Sequence, residues 1–245
     1  MLELENIVWS LPTGEEILKG VSLEIPDGKL TVITGPNGGG KTSLAKIISG
    51  IEQPTSGSII LNGEDITRLD VTERARRGIG YAFQQPVRFK GLTIHNLLEL
   101  AAGEPLNEEA LCSLLGKVGL CAHDYINREA DASLSGGEIK RVEIATLLAR
   151  RGLRLAVFDE PEAGIDLWSF TGLIEVFQQL KNHSGQSMLI ISHQERILEI
   201  ADNIVVIADG KVRMNGKGEK VLSELLEGEK ASRCPMYEKN GRDCH

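Results

Sequence analysis

What this chain lacks narrows its class before any motif does. Its longest apolar runs, such as Met188 to Ile191, are strand-sized, well short of the roughly 20 residues that a membrane-spanning helix needs. The N-terminus, Met1-Leu2-Glu3-Leu4-Glu5, has neither the basic segment nor the apolar stretch of a secretory leader. A soluble, cytoplasmic protein is therefore expected, with no direct membrane insertion. Basic charge is also short: 27 Lys and Arg stand against 35 Asp and Glu, a formal charge of −8. That balance argues against a nucleic-acid surface, which needs a basic footprint. Cysteine is sparse, and Cys112, Cys121, Cys234 and Cys244 read as thiols rather than structural disulfides. The 245 residues, 41% hydrophobic, suffice for one α/β domain, with or without an inserted lobe.

What is present is organised around Gly35-Pro36-Asn37-Gly38-Gly39-Gly40-Lys41-Thr42-Ser43. This stretch fits G-x-x-x-x-G-K-[ST]. An apolar strand-like run (Leu30, Val32, Ile33) precedes it, and Leu44, Ala45, Ile47 and Ile48 follow at helical spacing. The glycines let the backbone turn tightly and aim N–H groups from Gly38 to Lys41 at a phosphate, at the positive end of the next helix. Lys41 is positioned to reach the β- and γ-phosphates of ATP, and Thr42 to offer Mg²⁺ a short hydroxyl.

Upstream, residues 2 to 8 and 17 to 25 alternate apolar and polar residues, as half-buried antiparallel strands do. Trp9 either stacks on an adenine ring or packs into a core, the commoner role for a large aromatic near a strand end. Residues 57 to 61 with Asn62-Gly63 read as a strand and turn, and Arg74 to Gly78 as a basic, solvated helix end. A buried strand then runs from Gly78 to Phe83 and stops at Gln84-Gln85-Pro86. A glutamine at the carboxyl end of a parallel strand points into the crevice where such sheets bind ligands. Gln84 can there contact Mg²⁺ or an attacking water.

From Thr93 to Arg150 strands give way to helices, marked by Ile94, Leu97, Leu98, Leu100 and Ala101 and by Leu111, Leu114, Leu115 and Val118. This block reads as an inserted helical lobe. Its last helix opens at Ser135-Gly136-Gly137-Glu138, which is at once a capping box and a bare anion site at a helix N-terminus. Leu153 to Phe158 form a strand ending in Asp159-Glu160. Asp159 can hold Mg²⁺ opposite Thr42, and Glu160 can polarise the attacking water, with a bend at Pro161 bringing both into one crevice. The next strand, Ser187 to Ile191, ends at Ser192-His193; His193 either bonds a γ-phosphate or is a structural hydrogen-bonder. Asn203 to Ala208 and Lys211 to Asn215 suggest a hairpin around Asp209-Gly210, and Glu219 to Leu226 an amphipathic helix. Cys234, Cys244 and His245 lie in a polar tail without a tight metal-ligand spacing.

Taken together, residues 2 to 228 resemble the ATP-binding-cassette (ABC) ATPases. Gly35 to Thr42 look like the Walker A loop, Gln84 like the Q-loop glutamine and Ser135 to Glu138 like the signature motif. Leu155 to Asp159 with Glu160 look like the Walker B strand and catalytic glutamate, Ala163 to Asp166 like the D-loop, and His193 like the switch histidine. The resemblance implies a P-loop NTPase (RecA-like) nucleotide-binding domain with an antiparallel β subdomain and an inserted α-helical subdomain. Core and β layer would occupy 1–86 and 151–228, the lobe 87–150, and a tail 229–245. It further implies an Mg-dependent ATPase in which Glu160, His193 and Lys41 are catalytic and Thr42, Gln84 and Asp159 hold Mg²⁺. Two copies would pair head to tail on ATP, the signature of one closing on the γ-phosphate in the other's cradle.

Within that family the chain is similar to the ATPase subunit of the SUF iron-sulfur cluster assembly machinery. The similarity rests on Ala82-Phe83-Gln84 with Pro86-Val87; on Lys140, Arg141 and Glu143 after the signature; on Gly164-Ile165-Asp166; and on Ile191-Ser192-His193 with Arg196-Ile197-Leu198. Leu11 at the adenine-facing position fits too. Pro161 and the triple glycine at 38 to 40 lean toward transporter cassettes. The implied partner is a SUF-type scaffold (SufB-like, with SufD-like as a further candidate); the alternative is the permease of an ABC transporter. A DNA-repair type of cassette would need a long coiled-coil insertion, which is absent.

Overall fold

The computed structural model describes residues 1 to 183 and 185 to 232. In chain order its strands and helices are β1 Leu2–Ser10, β2 Glu16–Ile25, β3 Leu30–Thr34, α1 Lys41–Ser49, β4 Ser56–Leu61, β5 Glu64–Asp65, α2 Val71–Arg76, β6 Ile79–Ala82, β7 Phe89–Thr93, α3 Ile94–Ala102 and α4 Glu108–Lys117. They continue as α5 Ala122–Tyr125, β8 Glu129–Ala130, α6 Gly136–Ala149, β9 Leu155–Asp159, α7 Leu167–His183, β10 Ser187–Ile191, α8 Glu195–Glu199, β11 Asn203–Ala208, β12 Lys211–Lys217 and α9 Gly218–Ser232.

Two larger sheets result. One has the order β2-β1-β4-β5 with antiparallel neighbours throughout. The other has the order β12-β11-β3-β10-β9-β6 and is parallel apart from the β11–β12 hairpin. Every residue of β3, β9 and β10 is buried, as expected of parallel strands covered on both faces.

Strand periodicity divides the interior in two. Val32, Phe158 and Ile190 point into a core shared with α3, α4, α6 and α7. Their neighbours Ile33, Val157 and Ile191 point to the other side, where α1 lies between the parallel sheet and the antiparallel one. The consequence for function is positional: the carboxyl ends of β3, β6, β9 and β10 deliver the 35–42 loop, Gln84, Glu160 and His193 to one edge.

Three details differ from the expectations. Arg74 is no part of a solvated helix end: it is 0% exposed, and its guanidinium donates to the carbonyls of Ile47, Ile48, Thr67 and Leu69. Its charge serves the carboxyl end of α1, whose last carbonyls have no partner within the helix. Burial pushes its pKa down to about 10, so it stays charged at neutrality. The helical block also carries a small antiparallel ribbon, β7 with β8. Finally, α9 runs on to Ser232, past the expected helix end at Leu226. Cys234, Cys244 and His245 lie outside the described residues.

Candidate nucleotide site

The cradle follows β3 directly. Gly35 has φ +132°, and a Cβ there would stand 2.1 Å from the Ile207 carbonyl oxygen, so only glycine lets the loop cross β11 this closely. The loop opens into α1 through a left-handed Gly40. Beside it is a cavity of about 530 Å³. Asn37, Gly38, Gly40, Lys41, Thr42 and Ser43 line its phosphate end, Trp9, Leu11 and Ile17 another wall, and Gln84, Glu160 and His193 the third. Trp9 is half-buried there, lining the cavity and packing against the core around α1 as well. Pro36, an exposed residue, and Gly39, a buried one, shape the loop without lining the cavity.

Lys41 Nζ folds back to donate to the Gly35 carbonyl at 2.8 Å and the Pro36 carbonyl at 2.9 Å. Burial lowers its pKa, opposed by the nearby Glu160 and Asp159 carboxylates. Thr42 Oγ1 donates to Asp159 Oδ1 at 3.0 Å. Asp159 is 2% exposed and sits behind Thr42. Its second oxygen accepts a hydrogen bond from the Tyr81 hydroxyl at 2.8 Å.

Glu160 reaches the cavity by a route other than the expected bend at Pro161. Its own backbone is left-handed, φ +43°, a costly conformation for a non-glycine residue. The turn is held by Glu160 N–H donating to the Ile191 carbonyl at 3.0 Å and by Ala163 N–H donating to the Glu160 carbonyl at 3.0 Å. Successive strand residues would otherwise face opposite ways; the reversal turns the side chain toward Gln84, whose Nε2 donates to Glu160 Oε2 at 2.6 Å. Exposed His193 follows fully buried Ser192, whose hydroxyl donates to Glu162 Oε1 at 2.5 Å.

Ser135 to Glu138 are not brought to this cavity. Ser135 caps α6 through the reciprocal box, with Glu138 N–H donating to Ser135 Oγ at 3.2 Å and Ser135 N–H to Glu138 Oε2 at 2.7 Å. Tyr125 also donates to Glu138. Gly136 and Gly137 lie against the 163–166 turn and the start of α7: Cβ atoms there would come within 2.7 Å of the Gly164 carbonyl oxygen and 2.4 Å of Ser169 Cβ. Immediately beyond that turn Leu167 and Trp168 are 70% and 86% exposed.

Two features of the site were missed in the sequence. Tyr81 had a signal, since a tyrosine in a buried strand needs a partner for its hydroxyl. Burial, with Asp159 adding to it, pushes its pKa up, so it acts as a donor. Glu162 had none, because its partner Ser192 belongs to another strand end.

Comparisons with known proteins bear on this geometry. Residues 18–163 match the family model described as ABC transporter. An uncharacterised ABC transporter ATP-binding protein of Methanocaldococcus jannaschii is 41% identical over 84% of this chain and 85% of its own length. A phosphonates import ATP-binding protein of a Synechococcus species is 35% identical over 92% of this chain and 88% of its own. Among solved structures, an ATP-binding cassette described as dimeric, in a post-hydrolysis state bound to ADP and Pi, superimposes with a TM-score of 0.78 at 26% identity. It covers 89% of this chain and 98% of that one.

Proposed function

Starting from a chain that belongs to the ABC transporter family and is an ABC ATPase, we propose that it is the motor half of a two-cassette machine that hydrolyses ATP to drive a partner protein. One observation carries this reading. The cradle, Gln84, Glu160 and His193 share a single cavity, while the capped α6 N-terminus at Ser135 contributes nothing to it. A second copy, head to tail, would supply that N-terminus to close on the γ-phosphate. The exposed Leu167 and Trp168 beside it support the same face being covered, as does the dimeric state of the related cassette.

In the closed pair Lys41 leaves the Gly35 and Pro36 carbonyls for the β- and γ-phosphates, and Glu160 leaves Gln84 to orient or deprotonate the attacking water. His193 stabilises the charge that grows on the γ-phosphoryl group. Thr42, Asp159 and Gln84 are oxygen donors of the kind Mg²⁺ prefers, and the 3.0 Å Thr42–Asp159 contact puts two of them together. They would hold the ion, which would supply charge neutralisation to the phosphates.

The leading candidate for the partner is a membrane permease, supported by relatives named for transport. This chain has no helix long and apolar enough to cross a membrane among its described residues; as the ATP-hydrolysing partner of a permease it would work from the cytoplasmic face. The second reading is a SUF-type iron-sulfur scaffold, favoured by Ala82-Phe83-Gln84, the Lys140-Arg141-Glu143 run and Gly164-Ile165-Asp166. Either partner could dock at the apolar groove of about 160 Å³ lined by Phe83, Val87, Phe89 and Leu97, next to Gln84. Turnover per chain should rise with protein concentration; a rate independent of concentration and of any companion removes the two-cassette reading. Purification of the native complex separates the partners: a polytopic membrane protein supports the permease, and a soluble companion carrying labile sulfide supports the scaffold.

A further inference from the structure

Tyr81 touches the reaction only through another residue, and the way it is held suggests why. Its hydroxyl donates to Asp159 Oδ2 at 2.8 Å, while Oδ1 of the same carboxylate accepts from Thr42 at 3.0 Å. Both oxygens of a carboxylate 2% exposed are thus fixed from opposite sides. A buried carboxylate without such partners carries a large desolvation cost and relaxes by rotating or by taking up a proton. The Tyr81 ring is fixed in turn: it packs edge-on against Phe83, centroids 4.9 Å apart at 80°. Phe83 is clamped by α6, its N–H donating to Glu143 Oε1 at 3.0 Å and its carbonyl accepting from Lys140 Nζ. Lys140 and Glu143 are themselves 3.1 Å apart. Helix α6, which opens at Ser135, is in this way joined through Phe83 and Tyr81 to the carboxylate behind Thr42.

We infer that Tyr81 is a positioning residue that holds Asp159 Oδ2, leaving Oδ1 aimed at Thr42 and at the divalent cation of the ATP complex. This rests on the reading of Thr42 and Asp159 as cation donors. The substitution Tyr81→Phe keeps the ring and its Phe83 contact and removes only the hydroxyl. A hydrogen bond to a charged group contributes about 1.5–3 kcal/mol, so the effect should be tenfold or more.

The test measures ATP binding at equilibrium, with Mg²⁺ and with EDTA, in the Glu160→Gln background so that hydrolysis does not intervene. Thermal unfolding is followed in parallel. The expected result is that Mg²⁺ tightens ATP binding about tenfold less in the Tyr81→Phe protein, with unchanged affinity in EDTA, and that half-maximal turnover in the Glu160 enzyme requires about tenfold more Mg²⁺. If Tyr81→Phe lowers the melting temperature but leaves the Mg²⁺ dependence where it was, the hydroxyl is only structural and the inference fails. If Mg²⁺ does not alter ATP affinity even with Tyr81 present, the cation reading itself falls and takes the inference with it.

Discussion

Gln84 Nε2 donates to Glu160 Oε2 at 2.6 Å across the mouth of the candidate nucleotide cavity, which leaves the Gln84 amide oxygen and Glu160 Oε1 outside that bond. The left-handed backbone of Glu160, φ +43°, is held by its main-chain bonds to Ile191 and Ala163, which do not depend on the carboxylate. The substitution Glu160→Gln still offers Gln84 a carbonyl oxygen and should leave the fold intact. It removes the proposed base, and a general base is typically responsible for about 10²–10⁴-fold of rate. Phosphate release should fall by that factor while ATP binding persists, and gel filtration with ATP should show a dimer accumulating. Turnover at the unsubstituted rate would take Glu160 out of its assigned role.

The two glycines after Ser135 are set by packing. A Cβ on Gly137 would lie 2.4 Å from Ser169 Cβ and 2.5 Å from its Oγ, closer than any real contact. Gly137→Ala should therefore destabilise the protein by about 1–3 kcal/mol, the usual range for overpacking. Removing the opposing side chain tests the cause: Gly137→Ala with Ser169→Gly should recover most of the loss in urea denaturation, because the two sites share one contact. Additive effects would mean that the clash lies elsewhere.

These contacts show what could and could not be read in advance. The Gly35–Thr42 loop, the acids at 159 and 160 and the alternating burial of β1 and β2 are local patterns, and spacing along the chain reports them directly. The Ser135–Glu138 capping box was equally legible, being contained in four residues. Contacts between strands were not. Periodicity says which face a residue occupies, not what waits there, so Tyr81 meeting Asp159 and Ser192 meeting Glu162 left no trace in the order of residues. Arg74 misled for a different reason: its partners are main-chain carbonyls, and no side-chain pattern advertises a carbonyl. Pro161, the visible breaker, points one residue past the reversal, since the positive φ falls on Glu160.

Arg74 carries a stability prediction of its own. Its guanidinium donates to four carbonyls, two of them at the carboxyl end of α1, the helix that begins at the cradle. The Ile47 carbonyl also accepts from Gly50 N–H and the Leu69 carbonyl from Gln53 Nε2, so Arg74→Ala would strip its donor from the Ile48 and Thr67 carbonyls above all, at roughly 1–3 kcal/mol for each one that water cannot reach. A loss of about 2 kcal/mol or more in unfolding free energy is expected from urea denaturation. Arg74→Lys should recover little, since one ammonium cannot span the fork that a planar guanidinium fills. A lysine variant as stable as the original would show that charge, not geometry, is what α1 needs.

Glu162 supplies a pH dependence whose sign can be fixed beforehand. Burial raises its pKa above the ordinary 4.5; the Ser192 hydrogen bond and His193 act against this, and Glu160 adds to it. Its other oxygen, Oε2, is buried with no partner among the described residues, an environment that disfavours the charged form. The folded protein thus binds this proton more tightly than the unfolded chain does. The resulting stabilisation is fully present below about pH 4.5 and is lost as pH rises through the raised folded value. Glu162→Gln remains neutral at every pH and still presents a carbonyl oxygen to the Ser192 hydroxyl, so it carries no such dependence. Melting temperatures of the two proteins, compared from pH 4.5 to 8, should diverge as pH rises, the glutamine variant gaining relative to the parent. A constant difference across that range would mean that Glu162 titrates as it does in the unfolded chain, and that the pocket behind His193 is wetter than the structure describes.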